Sequence, residues 1–274
     1  MVSSKRLVPS SSASTLFSFN RANTSLFVFH KNSDVIYLLL YVDDIIFTDN
    51  NSSLLDNFTL KLNSEFATKY LGSISYFLGL EASPTANGLF LNQMKYAQDI
   101  LTRAQLLDNK PIHTPMIVSQ HLSADGPLFS DPTLYLSLVG ELQYLTIARL
   151  NIAHAVNSIS QFLHAPTADH FTAVKCILCY VKGTLNFCLS FRPSATLDAL
   201  VAYSDVDGTG CPDTRHSTFG YSIYLGDNLV SWSAKKQPTV SRSSCESEYR
   251  GLANTAAELV WLTHLLHDLQ VPIP

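Results

Sequence analysis

The tightest constraint on this chain is Tyr41-Val42-Asp43-Asp44, two adjacent carboxylates set between the apolar runs Val35-Ile36-Tyr37-Leu38-Leu39-Leu40 and Ile45-Ile46-Phe47. Short apolar runs bounded by polar residues read as buried strands. The acids cannot be buried with them, so the segment folds back as a hairpin that carries its charges at the tip. Adjacent carboxylates repel and hold protons unless a cation compensates them, and hard divalent ions such as Mg²⁺ take oxygen ligands. The plainer alternative is a solvated turn, where Asp is common because its short side chain suits turn geometry. On the tetrapeptide alone the solvated turn is the better reading; the rest of the chain shifts the balance.

With 274 residues, 46% of them hydrophobic, the chain can build a sizeable core and two domains. Eighteen basic residues against 22 acidic give a net charge of −4. Duplex affinity rests largely on Lys and Arg meeting phosphates, so this balance argues for weak nucleic-acid binding by the chain alone. A polymerase can nonetheless confine its basic residues to one groove. Five cysteines (176, 179, 188, 211 and 245) form no disulfide ladder and point to an intracellular, reduced setting. Cys176 and Cys179 make a single C-x-x-C inside a helical pattern and read as half-buried thiols. His264 and His267 lack a third ligand and read as surface histidines. No apolar run reaches the roughly 20 residues that span a bilayer, so no membrane partner is expected. Residues 1–33 hold no acid, four basic residues and nine serines. That fits a transit peptide loosely, and a truncated piece of an older domain better.

After the hairpin, Leu54, Leu55, Phe58, Leu62 and Phe66 recur at helical spacing behind the caps Ser52 and Ser53. A strand is expected over residues 74–80, opened by Gly72, and another from Gly88. Helical period returns at Met94, Ala97, Ile100, Leu101 and Ala104. Four prolines between Asp108 and Thr133 mark a linker. Three helices are expected over 134–148, 152–163 and 171–181, then strands over 200–204, 221–225 and 229–233, with a turn at Gly226-Asp227-Asn228. A long helix over 244–269 closes the chain.

These segments, in this order, resemble the Pol polyprotein of copia-type retrotransposons over nearly the whole chain. The resemblance is carried by Thr24 to Phe29 with Leu38 to Asp44, by Lys69-Tyr70-Leu71-Gly72 and Tyr76-Phe77-Leu78-Gly79-Leu80, and by Ser137-Leu138-Val139-Gly140 with Leu142 to Thr146. It continues in Tyr180-Val181-Lys182-Gly183-Thr184-Leu185, Tyr203-Ser204-Asp205, Gly210-Cys211-Pro212-Asp213-Thr214-Arg215, Ser231 to Ser244 and Glu248-Tyr249-Arg250. Copia-derived open reading frames of plant mitochondrial genomes share this extent, which is the one link to mitochondria.

The resemblance implies an α+β chain: a partial reverse transcriptase palm and thumb, a helical connection, then a truncated RNase H-like α/β domain. Residues 1–33 would be a palm remnant or unstructured, 34–107 the end of the palm with a thumb-like region, 108–133 the linker, 134–192 the connection and 193–274 the RNase H-like part. It implies RNA-directed DNA polymerase and RNase H activities, Mg²⁺ as cofactor, a template-primer or RNA/DNA hybrid as partner, and contacts to other Pol subunits. Asp43 and Asp44 would hold the polymerase metal, with Asp43 the direct ligand and Tyr41 beside the primer end. Asp205 and Glu248 would be the metal-binding carboxylates of the RNase H half.

Against that family pattern, a further polymerase aspartate, the fingers and a third RNase H aspartate are absent, so the chain alone is expected to be catalytically incomplete; the alternatives are a non-catalytic nucleic-acid or Pol-binding remnant and an expressed relic without function. Asp34 precedes the same hairpin and cannot replace the missing ligand. Cys176, Cys179 and His216 stand where the family shows Arg, and Leu150-Asn151 where it shows Pro-Asp. Gly208 replaces a Trp, a change expected to remove a buried ring. The expected open sheet edge is an aggregation hazard.

Overall fold

A computed structural model describes residues 2–4, 18–19, 23–31, 33–42, 44–65, 68–117, 122–193, 199–208 and 210–271. The chain is α+β, as expected, and divides into two compact units, Met1–Ser75 with Glu258–Pro274 and Tyr76–Ala257. Asp43, Phe66 and most of the first 22 residues lie outside the described residues.

The first unit is built on strands β1 (Val2–Ser4), β2 (Ser18–Phe19), β3 (Leu26–Lys31), β4 (Asp34–Tyr41), β5 (Asp44–Asp49) and β6 (Thr68–Tyr70). They form one antiparallel sheet in the order β2-β3-β4-β5-β1-β6. The expected hairpin is its centre, with Ile36 opposite Asp49 at one end and Tyr41 opposite Asp44 at the other. Period-two alternation sends Leu38, Leu40, Ile45 and Phe47 to one face, where they pack on Phe58 and Leu62. Those two belong to helix α1 (Ser52–Glu65). The cap of α1 is one residue earlier than expected. Asn51 Oδ1 accepts from the Ser53 N–H at 3.2 Å and the Asn51 carbonyl accepts from Leu54 and Leu55, which leaves Ser52 and Ser53 inside the first turn. Asn caps at least as well as Ser, so composition alone could not choose between them.

In the second unit, β7 (Tyr76–Phe77), β8 (Leu80–Thr85), β9 (Gly88–Asn92) and β10 (Leu189–Phe191) form an antiparallel sheet in the order β10-β9-β8-β7. The single strand expected over 74–80 is therefore wrong. Leu78 (φ 48°) and Gly79 (φ 72°) turn the chain back, and Phe77 pairs with Leu80. Gly79 is required twice over, because a Cβ there would also lie 3.1 Å from the Tyr144 ring.

Helices α2 (Met94–Arg103), α3 (Pro132–Leu145), α4 (Leu150–Ser160) and α5 (Ala168–Gly183) form the main core. Ile100, Leu101, Leu142, Leu145, Ile152, Ile159, Ile177 and Leu178 are fully buried there. Asp131 caps α3, its side chain accepting from Leu134 N–H at 2.9 Å with Pro132 at the first helical position. Of residues 108–133, expected as a linker, Pro132 and Thr133 already belong to α3; the rest show no helix or strand beyond a Leu128–Thr167 bridge among those described, yet they are bonded to the core through Phe129 and Pro127. Cys176 and Cys179 are half-buried on α5, and burial pushes the Cys176 thiol up. Asn151 donates from Nδ2 to the Tyr180 hydroxyl at 2.8 Å, while His216 Nδ1 bonds the Gln237 carbonyl at 2.7 Å.

One buried group makes this core acid-sensitive. His170 closes a capping box with Thr167: the Thr167 N–H donates to Nδ1 at 3.0 Å, so Nε2 carries the proton toward the Ser123 carbonyl at 2.9 Å. Burial lowers its pKa, outweighing the Ser123 bond and the charges of Asp169 and Asp213. Below about pH 6.5 the unfolded chain therefore takes up this proton more readily than the folded one. The contribution is complete above that pH and falls as pH drops toward the folded pKa, by at most about 1.4 kcal/mol per pH unit. Urea unfolding between pH 5 and 8 should show this slope in the parent chain and a shallower one in His170→Gln; equal slopes would contradict the assignment.

The chain closes with β11 (Leu200–Val206), β12 (Thr218–Leu225), β13 (Asn228–Lys236) and α6 (Ser244–Asp268). The three strands form an antiparallel meander with a bulge at Ile223/Tyr224. Gly251 of α6 sits on the sheet, where a Cβ would lie 2.5 Å from Val206 Cγ2 and 3.6 Å from Phe219 Cβ. Gly208 does not meet expectation. It is exposed and a Cβ there would touch nothing within 4 Å, because the chain has already left β11 for a surface turn.

Candidate functional site

The tip of the β4–β5 hairpin is held from beneath. Ile45, next to Asp44, is 1% exposed, and Phe47 packs edge-on against Phe58 with ring centroids 6.3 Å apart. Tyr41 and Asp44, directly opposite each other, share the face turned away from α1. Tyr41 is 50% exposed and Asp44 half-buried.

Val42, between Tyr41 and Asp43, has φ 48° and is 76% exposed. Positive φ matches the primed turns that suit strand twist, but those turns take Gly, Asn or Asp. A β-branched side chain in this region is a genuine outlier, with strain of order 1–3 kcal/mol. Such strain collects at ligand clamps and active sites. Val42→Asn should accordingly stabilise the chain by about 1 kcal/mol, since Asn tolerates the left-handed region and Val42 buries little. A urea midpoint that stays put or falls would show that the tip is unstrained.

Other acids of the hairpin are remote from this tip. Asp34, at the far end of β4, accepts from Asn51 Nδ2 at 3.2 Å. Seven strand steps place it about 23 Å from Tyr41, and Asp49 is about 17 Å from Asp44 along β5. Neither can share a cation with Asp44.

Asp205 and Glu248 lie in the second unit, on β11 and in the second turn of α6; both are exposed. Their elements meet where Gly251 rests on Val206. Asp205 is one residue from that contact and Glu248 three. Strand alternation turns Asp205 to the face opposite Val206, so contact between the elements does not by itself bring the two carboxylates together. Among the described residues no three His, Cys, Asp or Glu side chains converge as a metal-binding group. No described helix is long and apolar enough to cross a membrane.

Adjacent acids at the turn of a hairpin are the sequence pattern expected of a nucleic-acid polymerase. Sequence comparison agrees: residues 11–118 match the family model described as reverse transcriptase (RNA-dependent DNA polymerase). A retrovirus-related Pol polyprotein from a transposon of Arabidopsis thaliana is 45% identical over 251 residues, 91% of this chain and 17% of the polyprotein. A second such polyprotein from the same plant is 44% identical over 253 residues, 92% of this chain and 17% of its own length. An uncharacterized mitochondrial protein of Arabidopsis thaliana is 47% identical over 226 residues, 82% of this chain and 94% of that protein. The chain belongs to the reverse transcriptase family, in the branch of copia-type transposon Pol proteins. It spans about a sixth of the length of the polyproteins it matches. No solved structure matches the chain. The family uses a divalent metal and engages a nucleic-acid template-primer.

Proposed function

We propose that this chain is the part of a copia-type Pol that carries the closing strands of the polymerase palm, a thumb-like helix, the connection and an RNase H-like segment. Its parent activities are RNA-directed DNA synthesis and cleavage of RNA in RNA/DNA hybrids, and by itself it performs neither. The segment boundaries are 34–107 for palm and thumb, 108–133 and 134–192 for linker and connection, and 193–274 for the RNase H-like part, with 1–33 a palm remnant or unstructured.

The observation that carries the polymerase reading is the strained tip with Tyr41 and Asp44 opposite each other on one face. Carboxylates side by side fit a hard divalent ion, and Asp43 with Asp44 would hold it. Mg²⁺, when bound, stabilises charge on the oxygens of an in-line phosphoryl displacement. Tyr41, exposed at the same tip, would line the primer end. Two acids from one tip leave most of an octahedral shell to other groups, and Asp34 and Asp49 are too far away to contribute. By the family resemblance Asp205 and Glu248 would each ligate an ion in the RNase H-like half, from separate elements rather than side by side.

Template-primer binding tests the part of this reading that needs no catalysis. With a net charge of −4, the chain should bind an RNA/DNA hybrid weakly and lose affinity steeply as salt rises. Binding that survives Asp43→Asn with Asp44→Asn marks a binding surface separate from the tip. No binding at low salt by folded protein would remove the template-primer from the account.

A further inference from the structure

We propose that the cleft between α4 and β13 binds a nucleobase, an uncharged flat ring that offers a hydrogen-bond acceptor beside a donor. The cleft has a volume of ≈ 390 Å³, and Gln143, Thr146, Asn157, Ser160 and Trp232 are among its polar and aromatic lining. Small-molecule sites start at about 300 Å³. None of the lining residues is ionisable, so a phosphate or carboxylate there would go uncompensated. The part of the ligand that enters is therefore neutral.

Most of the polar lining is already engaged. Trp232 Nε1 donates to the Thr146 carbonyl at 3.0 Å, which fixes the indole in place. Gln143 Nε2 donates to Ser160 Oγ at 2.9 Å, and Ser160 Oγ donates to the Val156 carbonyl at 2.6 Å. Asn157 differs: its Nδ2 is buried and has no partner among the described residues. A buried amide donor without an acceptor is costly and calls for an explanation. An acceptor brought by a ligand supplies one. Amide side chains pair with the donor-acceptor edge of adenine, and an indole is a stacking platform for any base. Adenine is thus the best match to Asn157 beside Trp232. The base could belong to a free nucleoside or to a single strand. The lining belongs wholly to the second unit and includes neither Asp43 nor Asp44, so the cleft's role does not rest on the polymerase reading.

The test is equilibrium dialysis of the full chain against labelled adenosine, with ribose as the control, and in parallel against oligo(dA) and an abasic strand of equal length. Asn157→Leu keeps the side chain's size and removes the amide; Ala153→Phe fills the cleft. Thermal unfolding of each variant establishes that it is folded. Saturable adenosine binding weakened about tenfold or more in both variants supports the site with a free nucleoside as ligand. The same loss for oligo(dA) only, with the abasic strand unaffected, supports it with a strand base as ligand. No binding that depends on Asn157 in either arm overturns the proposal. An abasic strand that binds as well as oligo(dA) in every variant does so too, while leaving template-primer binding intact.

Discussion

Gly88→Ala should destabilise the chain by about 3 kcal/mol, the sum of backbone strain and forced overpacking. Gly88 opens β9 at φ 140°, a conformation that side chains rarely adopt. A Cβ there would stand 2.0 Å from the Phe191 carbonyl oxygen and 3.2 Å from Arg192 Cα. Both are backbone atoms of β10 or its immediate continuation, so no rotamer change relieves the clash and β10 must leave β9. The consequence reaches further. Arg192 N–H donates to Asn228 Oδ1 at 2.8 Å and the Arg192 carbonyl accepts from Asn228 Nδ2 at 3.0 Å, tying the end of β10 to the β12–β13 turn. Urea unfolding of the variant should show the loss, with amide exchange fastest at Leu189–Phe191. A loss below about 0.5 kcal/mol, the scale of ordinary surface substitutions, would mean that β9 and β10 do not pair as described.

Tyr135→Ala should cost about 3–5 kcal/mol, the range for removing a large aromatic side chain from a packed core. Tyr135 is fully buried on α3 and donates to the Ile159 carbonyl at 2.7 Å. Burial drives its phenol well above the ordinary value, so it stays neutral. Tyr135→Phe separates ring from hydroxyl. The Ile159 carbonyl also accepts from Phe162 N–H at 3.2 Å, so it is not orphaned and the loss should be only about 1 kcal/mol. If the two variants lose equal stability, the hydroxyl rather than the ring holds α3 to α4.

The hairpin, the helices and the last three strands could be read from the sequence because each obeys one local period and ends at a local stop. The apolar runs around Asp43 and Asp44 have strand length, and Leu142, Leu145, Ile152 and Ile159 repeat at helical spacing. What escaped depends on partners or on backbone angles. Leu78-Gly79 sits inside an apolar run, so its reversal is invisible without φ. The pairing of Leu91 with Leu189 joins strands nearly 100 residues apart. Strain at Val42 runs against residue preference, which is why the letters hide it. The carboxylates of the site were legible as residues, yet their grouping was not: Asp205 and Glu248 ride on elements that touch, while strand alternation sets Asp205 on the face opposite Val206. Asn157 gave no signal at all, because an amide on a helix is unremarkable until its partner is missing.

The most direct test of the account is Mg²⁺-dependent primer extension on an RNA template, using the full chain beside its Asp43→Asn, Asp44→Asn double variant. The tip supplies two acids, and the hairpin's other two lie about 17–23 Å away along their strands, so the account predicts no incorporation by either protein. It also predicts that the fingers together with a palm segment carrying a further aspartate, added in trans, restore incorporation to the parent chain and not to the double variant. Incorporation by the unaided chain that vanishes in the double variant would contradict it, because the acids of one hairpin tip would then suffice.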